Sequence, residues 1–252
     1  MSFFQRRRSQ QDLDAFLPET ISPDAPFCAV GDLHGRIDLL ERIEKVILRT
    51  SPGLPTVFVG DYIDRGEHSA DVLRMLASGA ETGDQPVICL MGNHEEMCLN
   101  FIDAPCGPAT AWLRHGGLQT LASFGIGGVS PTSAEAALTE ARDALVDAMG
   151  PDLLAWLRAR PLSWQSGNVA VTHAGADPTR AISAQSSGSL LWGHPGFANH
   201  ARKDGVWVIH GHVVHEHAGH RDGRIWVDTG AYATGRLSGV HVLPGELRFF
   251  SS

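Results

Sequence analysis

Phe27-Cys28-Ala29-Val30-Gly31-Asp32-Leu33-His34-Gly35 is the stretch from which the rest of the chain is read. A four-residue apolar run ends in Gly-Asp-Leu-His-Gly, the form of a buried strand that leaves its sheet through a glycine and delivers polar side chains at its end. The form recurs twice. Val57-Phe58-Val59 leads into GDYIDRG (60–66), and the apolar run 87–91 leads into GNHEE (92–96). Two shorter segments follow, HAG (173–175) and HGH (210–212). Strand ends that bring Asp, His and Asn to one edge supply hard oxygen and nitrogen donors, and this many of them suit two cations. Such a site points to activation of water against a phosphate ester.

Each segment carries its own chemistry. Asp32 and His34 are two apart, so in extended chain they point the same way and can hold one cation. Asp61 has two carboxylate oxygens and could bridge two cations; alone it could equally cap a helix. Arg65 offers a planar fork for phosphate oxygens, or a salt bridge with Asp61 or Glu67. Asn93 contributes a neutral carbonyl oxygen. His94 should point away from Asn93 and so be free to act as a general acid, with Asp64 orienting it; it could instead be a ligand or a helix cap. His173 and His212 adjoin glycines at the ends of apolar runs and complete the donor set, with His210 competing with His212 for that place. The remaining histidines of the C-terminal half read as surface or supporting residues.

The bulk composition sets the frame. The chain has 252 residues, 43% hydrophobic and 19% charged, enough for one large core. The formal charge of -8 argues against electrostatic capture of nucleic acid, but not against a phosphorylated ligand held through cations. No apolar run approaches the length of a membrane span. Four cysteines (Cys28, Cys89, Cys98, Cys106) form no C-x-x-C pair, and no apolar run follows Arg6, Arg7 and Arg8 as in a secretory leader. A reducing, cytoplasmic setting is the expectation.

Along the chain, residues 1–25 read as a tail and 26–252 as one domain. Strands at 27–30, 57–59 and 87–91 alternate with helices at 37–48, 70–77 and from about His94, which predicts a mostly parallel sheet covered by helices. Residues 105–164 change character: helices at 134–149 and 153–158 form an insertion that covers the sheet or walls a cleft. Strands return at 169–172, 206–209, 225–227, 240–243 and 247–250, the last two as a hairpin about Pro244-Gly245-Glu246.

At this point the motifs G-D-x-H-G, G-D-x-x-D-R-G and G-N-H-E, followed by the two later histidines, resemble the phosphoprotein phosphatase family of calcineurin-like metallophosphoesterases. WLRHGGLQTLASFG (112–125) and LLWGHPGF (190–197) are similar to linking segments of its compact bacterial serine/threonine phosphatases. The resemblance implies an α/β fold, a four-layer α/β/β/α sandwich. It implies one metal on Asp32, His34 and Asp61 and a second on Asp61, Asn93, His173 and His212, with manganese first and iron or zinc as alternatives. It also implies a His94–Asp64 acid pair and Arg65 on the phosphate. Where those enzymes often carry Leu-Trp-Ile-Arg, this chain has Leu191-Trp192-Gly193-His194, so His194 is expected to stand in for a second phosphate clamp. The substrate implied is a phosphorylated protein or a small phosphoester. Residues 152–174 also resemble a sister branch that cleaves diadenosine polyphosphates, while Asp64-Arg65-Gly66 and Glu95 look more like the protein phosphatases. A non-catalytic phosphate-binding regulator is the reading of another class.

Overall fold

The alternation of side chains along each buried strand dictates a layered fold, and the computed structural model, which describes residues 20–82 and 86–252, has that form. The arginine triplet at 6–8 lies outside the described residues. One sheet contains β1 (Phe27–Val30), β2 (Thr56–Phe58), β3 (Val87–Cys89), β9 (Ser238–Leu243) and β10 (Glu246–Ser251), in the order β10-β9-β1-β2-β3. The other contains β4 (Ser163–Ser166), β5 (Val169–Thr172), β6 (Trp207–His210), β7 (Gly219–Arg221) and β8 (Arg224–Trp226), in the order β4-β5-β6-β8-β7. Phe27, Ala29, Val57, Val169, Val171, Ile209, Ile225 and Val240 share one buried cluster between the sheets. Their neighbours Cys28, Val30 and Phe58 belong to a second cluster under the helices. The period of two thus sorts one strand's residues into two cores.

Helices α1 (Ile37–Thr50), α2 (Ser69–Thr82), α3 (Asn93–Asp103), α4 (Leu118–Ser123) and α5 (Glu135–Arg158) bury apolar stripes in that second cluster, α1 through Leu39, Leu40, Ile43 and Ile47. The outer face of the other sheet is covered more thinly, by a 3-10 turn at Ile182–Ala184 and α6 (Ser187–Trp192), with Ala170, Val208, Leu190 and Phe197 packed together. A last short helix, α7 (Ala231–Thr234), follows β8.

The single, mostly parallel sheet expected from the alternation is corrected: there are two mixed sheets. β1-β2-β3 and β5-β6-β8 are parallel, while β9, β10, β4 and β7 pair antiparallel at the flanks. β4 (SWQS) and β7 (GHR) escaped the sequence because short polar edge strands lack an alternating apolar signal. The hairpin closes with Leu243 opposite Glu246. The helices at 134–149 and 153–158 form one run whose backbone breaks at Gly150 (φ 72°, ψ 166°), ahead of Pro151. The segment read as an insertion does cover the helical layer, through Leu138, Leu145, Leu153 and Leu157.

This topology positions the site. Val30, Phe58 and Cys89 end their strands in register, and β5 and β6 run parallel in the facing sheet. All five ligand-bearing segments therefore leave their strands at one end of the sandwich. Phe27 is fully buried between the sheets with its ring edge-on to Trp164 at 4.8 Å. Phe27→Ala should cost about 3–5 kcal/mol, read as a lowered denaturant midpoint with an unchanged slope.

Candidate metal centre

Polar residues cannot be delivered to a buried edge without unusual backbone, and the strain is visible. Among the described residues, the non-glycine positions with positive φ are His34, Asp61, Asp64, Arg65, His212 and Asp222. All but Asp222 belong to the predicted site. Each left-handed residue costs about 1 kcal/mol or more, so the surroundings must hold these turns in place.

Glu95 does most of the holding. It lies at the third position of α3, fully buried, and its carboxylate accepts from Asp61 N–H and Tyr62 N–H at 2.8 Å, Gly92 N–H at 3.0 Å and Ile63 N–H at 3.3 Å. Burial and the charge of Asp61 push Glu95 up to about 8, against the pull of these donors. The first two segments are joined at their ends as well: a Cβ on Gly66 would lie 2.2 Å from the His34 carbonyl oxygen, so only glycine admits this approach.

Asp61 stands at the centre. His34 Nε2 is 3.7 Å from its Oδ2 and His173 Nε2 is 3.4 Å from its Oδ1, while His94 N–H donates to Oδ1 at 3.0 Å. Two groups can hold a cation: His34, Asp61 and His94 on one side, and Asp61, His173 and His212 on the other. Asn93 joins the second through its Oδ1, 2.8 Å from His173 Nε2 and 2.9 Å from His212 Nδ1. Asp32 is buried at the same corner, its carboxylate accepting from His212 N–H at 3.1 and 3.3 Å.

The donor chemistry fits cations. His34 Nδ1 lies 2.9 Å from the Ile63 carbonyl and His173 Nδ1 lies 3.1 Å from the Val59 carbonyl. Each Nδ1–H therefore donates to backbone, and a neutral ring turns its Nε2 lone pair inward. Burial lowers His34 to about 3 and His173 to about 4, and lowers His212 too, so the rings are neutral. The His173 lone pair then faces the oxygens of Asn93 and Asp61, acceptor against acceptor, which a positive ion between them would satisfy. Asp32 is raised by burial and by Asp228 and Asp61, and Asp228 is raised to about 6 by burial and Asp61, a crowding of carboxylates that also calls for positive charge. Against the upward push of burial, the His94 ring and the His94 N–H, 3.0 Å from Oδ1, lower Asp61 below the usual carboxylate range.

His94 and Asp64 meet at 2.6 Å through Nδ1 and Oδ2. Asp64 is fully buried and also accepts from Trp112 Nε1–H at 2.9 and 3.1 Å and from the Thr120 hydroxyl at 2.6 Å. Burial alone would favour a neutral Asp64; three donors around it are what an ionised carboxylate needs, so the shared proton sits on His94. Burial opposes charge on His94, but Asp61 and the Asp64 hydrogen bond outweigh it and raise its pKa above the ordinary value. Arg65 Nη2 is 3.3 Å from His94 Nε2, and its guanidinium lies 4.6 Å over the Tyr232 ring, which meets the His34 ring edge-on at 5.3 Å.

Nine of the ten expected site residues thus converge. His194 does not: its Nδ1 accepts from Gly196 N–H at 3.1 Å and its Nε2 lies 3.8 Å from Asp177, with no bond or ring contact to the others among the described residues. His210 is buried against Phe197 with its Nδ1–H on the Gly211 carbonyl, which leaves the inward place to His212. The sequence reading missed Trp112, Thr120, Tyr232 and Asp228. Asp228 had a signal, an apolar run (225–227) ahead of Asp and Gly230 as in the first segments; Trp112 and Thr120 lay in the 112–125 segment without a role of their own, and Tyr232 had no signal.

A divalent ion that binds here should raise the thermal midpoint by the mass-action term, about 2.7 kcal/mol at a hundredfold excess over Kd, and Asp61→Asn should abolish that shift. Glu95→Gln sets an amide donor against backbone N–H groups and should lose about 1–3 kcal/mol of stability, together with ion affinity measured by calorimetric titration.

Comparison with known proteins agrees with this geometry. The chain is 39% identical over 90 residues to Serine/threonine-protein phosphatase 2 of Escherichia coli K12, covering 35% of this chain and 37% of that one. It is 37% identical over 79 residues to Serine/threonine-protein phosphatase PP2A-like PPG1 of Candida albicans, covering 31% and 18%. The matches therefore span well under two thirds of either relative. A solved structure provisionally assigned as a diadenosine tetraphosphatase superposes with a TM-score of 0.63 at 17% identity, over 91% of this chain and 94% of that one, which shows a shared fold. A profile described as "Calcineurin-like phosphoesterase" matches residues 25–216, and the chain belongs to that family, with these His and Asp groups as its divalent-metal site.

Proposed function

We propose that this protein hydrolyses phosphomonoesters, with phosphoserine and phosphothreonine of proteins as substrates. The observation that carries the reading is the meeting, around one carboxylate, of two ion-binding groups and a histidine–aspartate pair. In this reading Asp32, His34 and Asp61 hold one ion, and Asp61, Asn93, His173 and His212 hold the other. Asp61 reaches both sides because its two oxygens already face different imidazoles. His94 also borders the first group, but its short bond to Asp64 and its closeness to Arg65 suit proton transfer better than ligation. Divalent ions bound here would supply charge stabilisation at the phosphoryl oxygens and lower the pKa of water. Manganese is the proposed ion, with iron and zinc as alternatives, because the donors are oxygen and nitrogen and no thiol is among them.

The chain's own groups account for the rest. Arg65 offers its fork to the equatorial phosphate oxygens and is steadied by Tyr232 beneath it. His94, held protonated by Asp61 and Asp64, gives its Nε2 proton to the leaving alkoxide. Trp112 and Thr120 keep Asp64 ionised and fix its rotamer, so the ring is aimed before substrate arrives. A cytoplasmic setting fits four free cysteines, and no helix of the described residues is long and apolar enough to cross a membrane.

His94→Asn should lower kcat on an alkyl phosphate by about 10²–10⁴-fold while metal content stays near that of the wild type, and the loss should be smaller on nitrophenyl phosphate, whose leaving group needs little protonation. Full activity of His94→Asn on the alkyl ester would remove the acid from the mechanism. A panel of divalent ions against phosphoserine peptide and diadenosine tetraphosphate tests the substrate: preference for the dinucleotide would reassign it, and no turnover with any ion would favour a binding protein.

A further inference from the structure

Beside the metal centre lies a cavity of about 800 Å³, within the size range of ligand sites. Arg65 and Tyr232 form the wall shared with the reaction centre; Arg114, His115 and Gln119 form the far wall, over an apolar floor that includes Leu118. No acidic residue lines it. In a chain of formal charge -8 that is an unusual concentration of cationic and N–H-donating groups. Arg114 and His115 are exposed, and neither makes an ion pair, hydrogen bond or ring contact with another described residue. Arginines elsewhere on the surface, such as Arg142, Arg158 and Arg248, pair with carboxylates.

The backbone that carries the two side chains is nonetheless anchored beside the site. They lie in a wide π-type turn, Leu113–Gly117, whose Gly116 has φ 115° and packs directly on the catalytic segment. A Cβ at Gly116 would meet the Arg65 backbone nitrogen at 2.5 Å and the Asp64 Cβ at 2.8 Å. Trp112, one residue ahead of the turn, hydrogen-bonds Asp64. The turn that presents Arg114 and His115 is therefore anchored to the same two residues that serve the leaving group and the phosphate.

The geometry points to a second anion subsite on the leaving-group side, in which Arg114 and His115 take a carboxylate of the substrate, so that the preferred substrate is a phosphoserine or phosphothreonine peptide with an acidic residue close by. This rests on the phosphopeptide reading above. His94 protonates the leaving oxygen, so the polypeptide extends from the Arg65–His94 side, where the cavity begins. The turn that carries Arg114 and His115 rests directly on Asp64 and Arg65, so the acidic side chain belongs within a few residues of the phosphorylated one. A guanidinium fork matches a carboxylate bidentately, and His115 and Gln119 add N–H donors.

The test compares two phosphoserine peptides that differ only in Glu or Gln at the three positions on each side of the phosphoserine, each with the metal-loaded wild type and Arg114→Glu. The thermal midpoint and metal content of the variant report its folding. The wild type should favour the Glu peptide by about tenfold in kcat/KM, since a charged hydrogen bond contributes about 1.5–3 kcal/mol and exposure places it at the low end. The difference should lie mainly in KM and shrink as salt is raised. Arg114→Glu should reverse the order, so that the Gln peptide is the better substrate. Equal turnover of both peptides by the wild type, or a preference that Arg114→Glu leaves intact, would overturn the subsite while the phosphopeptide reading stands. Hydrolysis of nitrophenyl phosphate but of neither peptide would overturn the phosphopeptide reading and the acidic-peptide assignment with it. If Arg114→Glu fails to fold, His115→Glu, whose side chain is also exposed, carries the same expectation.

Discussion

The structure depends on one buried carboxylate. Glu95 accepts hydrogen bonds from the backbone of Gly92, Asp61, Tyr62 and Ile63, and so ties the start of α3 to the turn after β2. Four backbone hydrogen bonds to one carboxyl group fix the turn in which Asp61 takes its left-handed conformation. That turn is what swings Asp61 between His34 on one side and His173 on the other. Replace the grip with solvent and the central carboxylate has no reason to hold its place.

The helical segment between the third and fourth motifs has a second use besides cover. Leu138, Leu145 and Leu157 pack in the core. Trp112 and Thr120, from the same segment, reach Asp64 and surround it with donors. A carboxylate surrounded by donors in that way is suited to its ionised form and orients its imidazole partner. Two of the other rings are oriented in a related way: His34 and His173 each donate the Nδ1–H to a backbone carbonyl.

Much of this was legible because the signals are local. An apolar run, a glycine and a following Asp, His or Asn identify Asp32, His34, Asp61, Asn93 and His173 without any tertiary information. The two sheets were less legible, since β4 and β7 carry polar residues at sheet edges. Trp112 and Thr120 were legible only as members of a segment with a familiar pattern, and Tyr232 not at all. They are ordinary residues in helical stretches, and their importance comes from lying against Asp64 and Arg65, 48, 56 and 167 positions away. His194 is the reverse case: a gap in a familiar pattern suggested a role for it, while its ring accepts from Gly196 N–H and lies 3.8 Å from Asp177, with no bond to the other nine among the described residues.

By itself the sequence determined which donor atoms are present, that they follow strands, and that an arginine, a histidine and a further aspartate accompany them. These are properties of residue type and short spacing, which survive in the unfolded chain. The tertiary structure alone decided which way each side chain faces. Burial made the His34 and His173 rings neutral, crowded three carboxylates into one corner, and left Arg114 and His115 unpaired beside Arg65 and Tyr232. Orientation and desolvation arise only when distant segments exclude water from a common volume, and no local pattern encodes that.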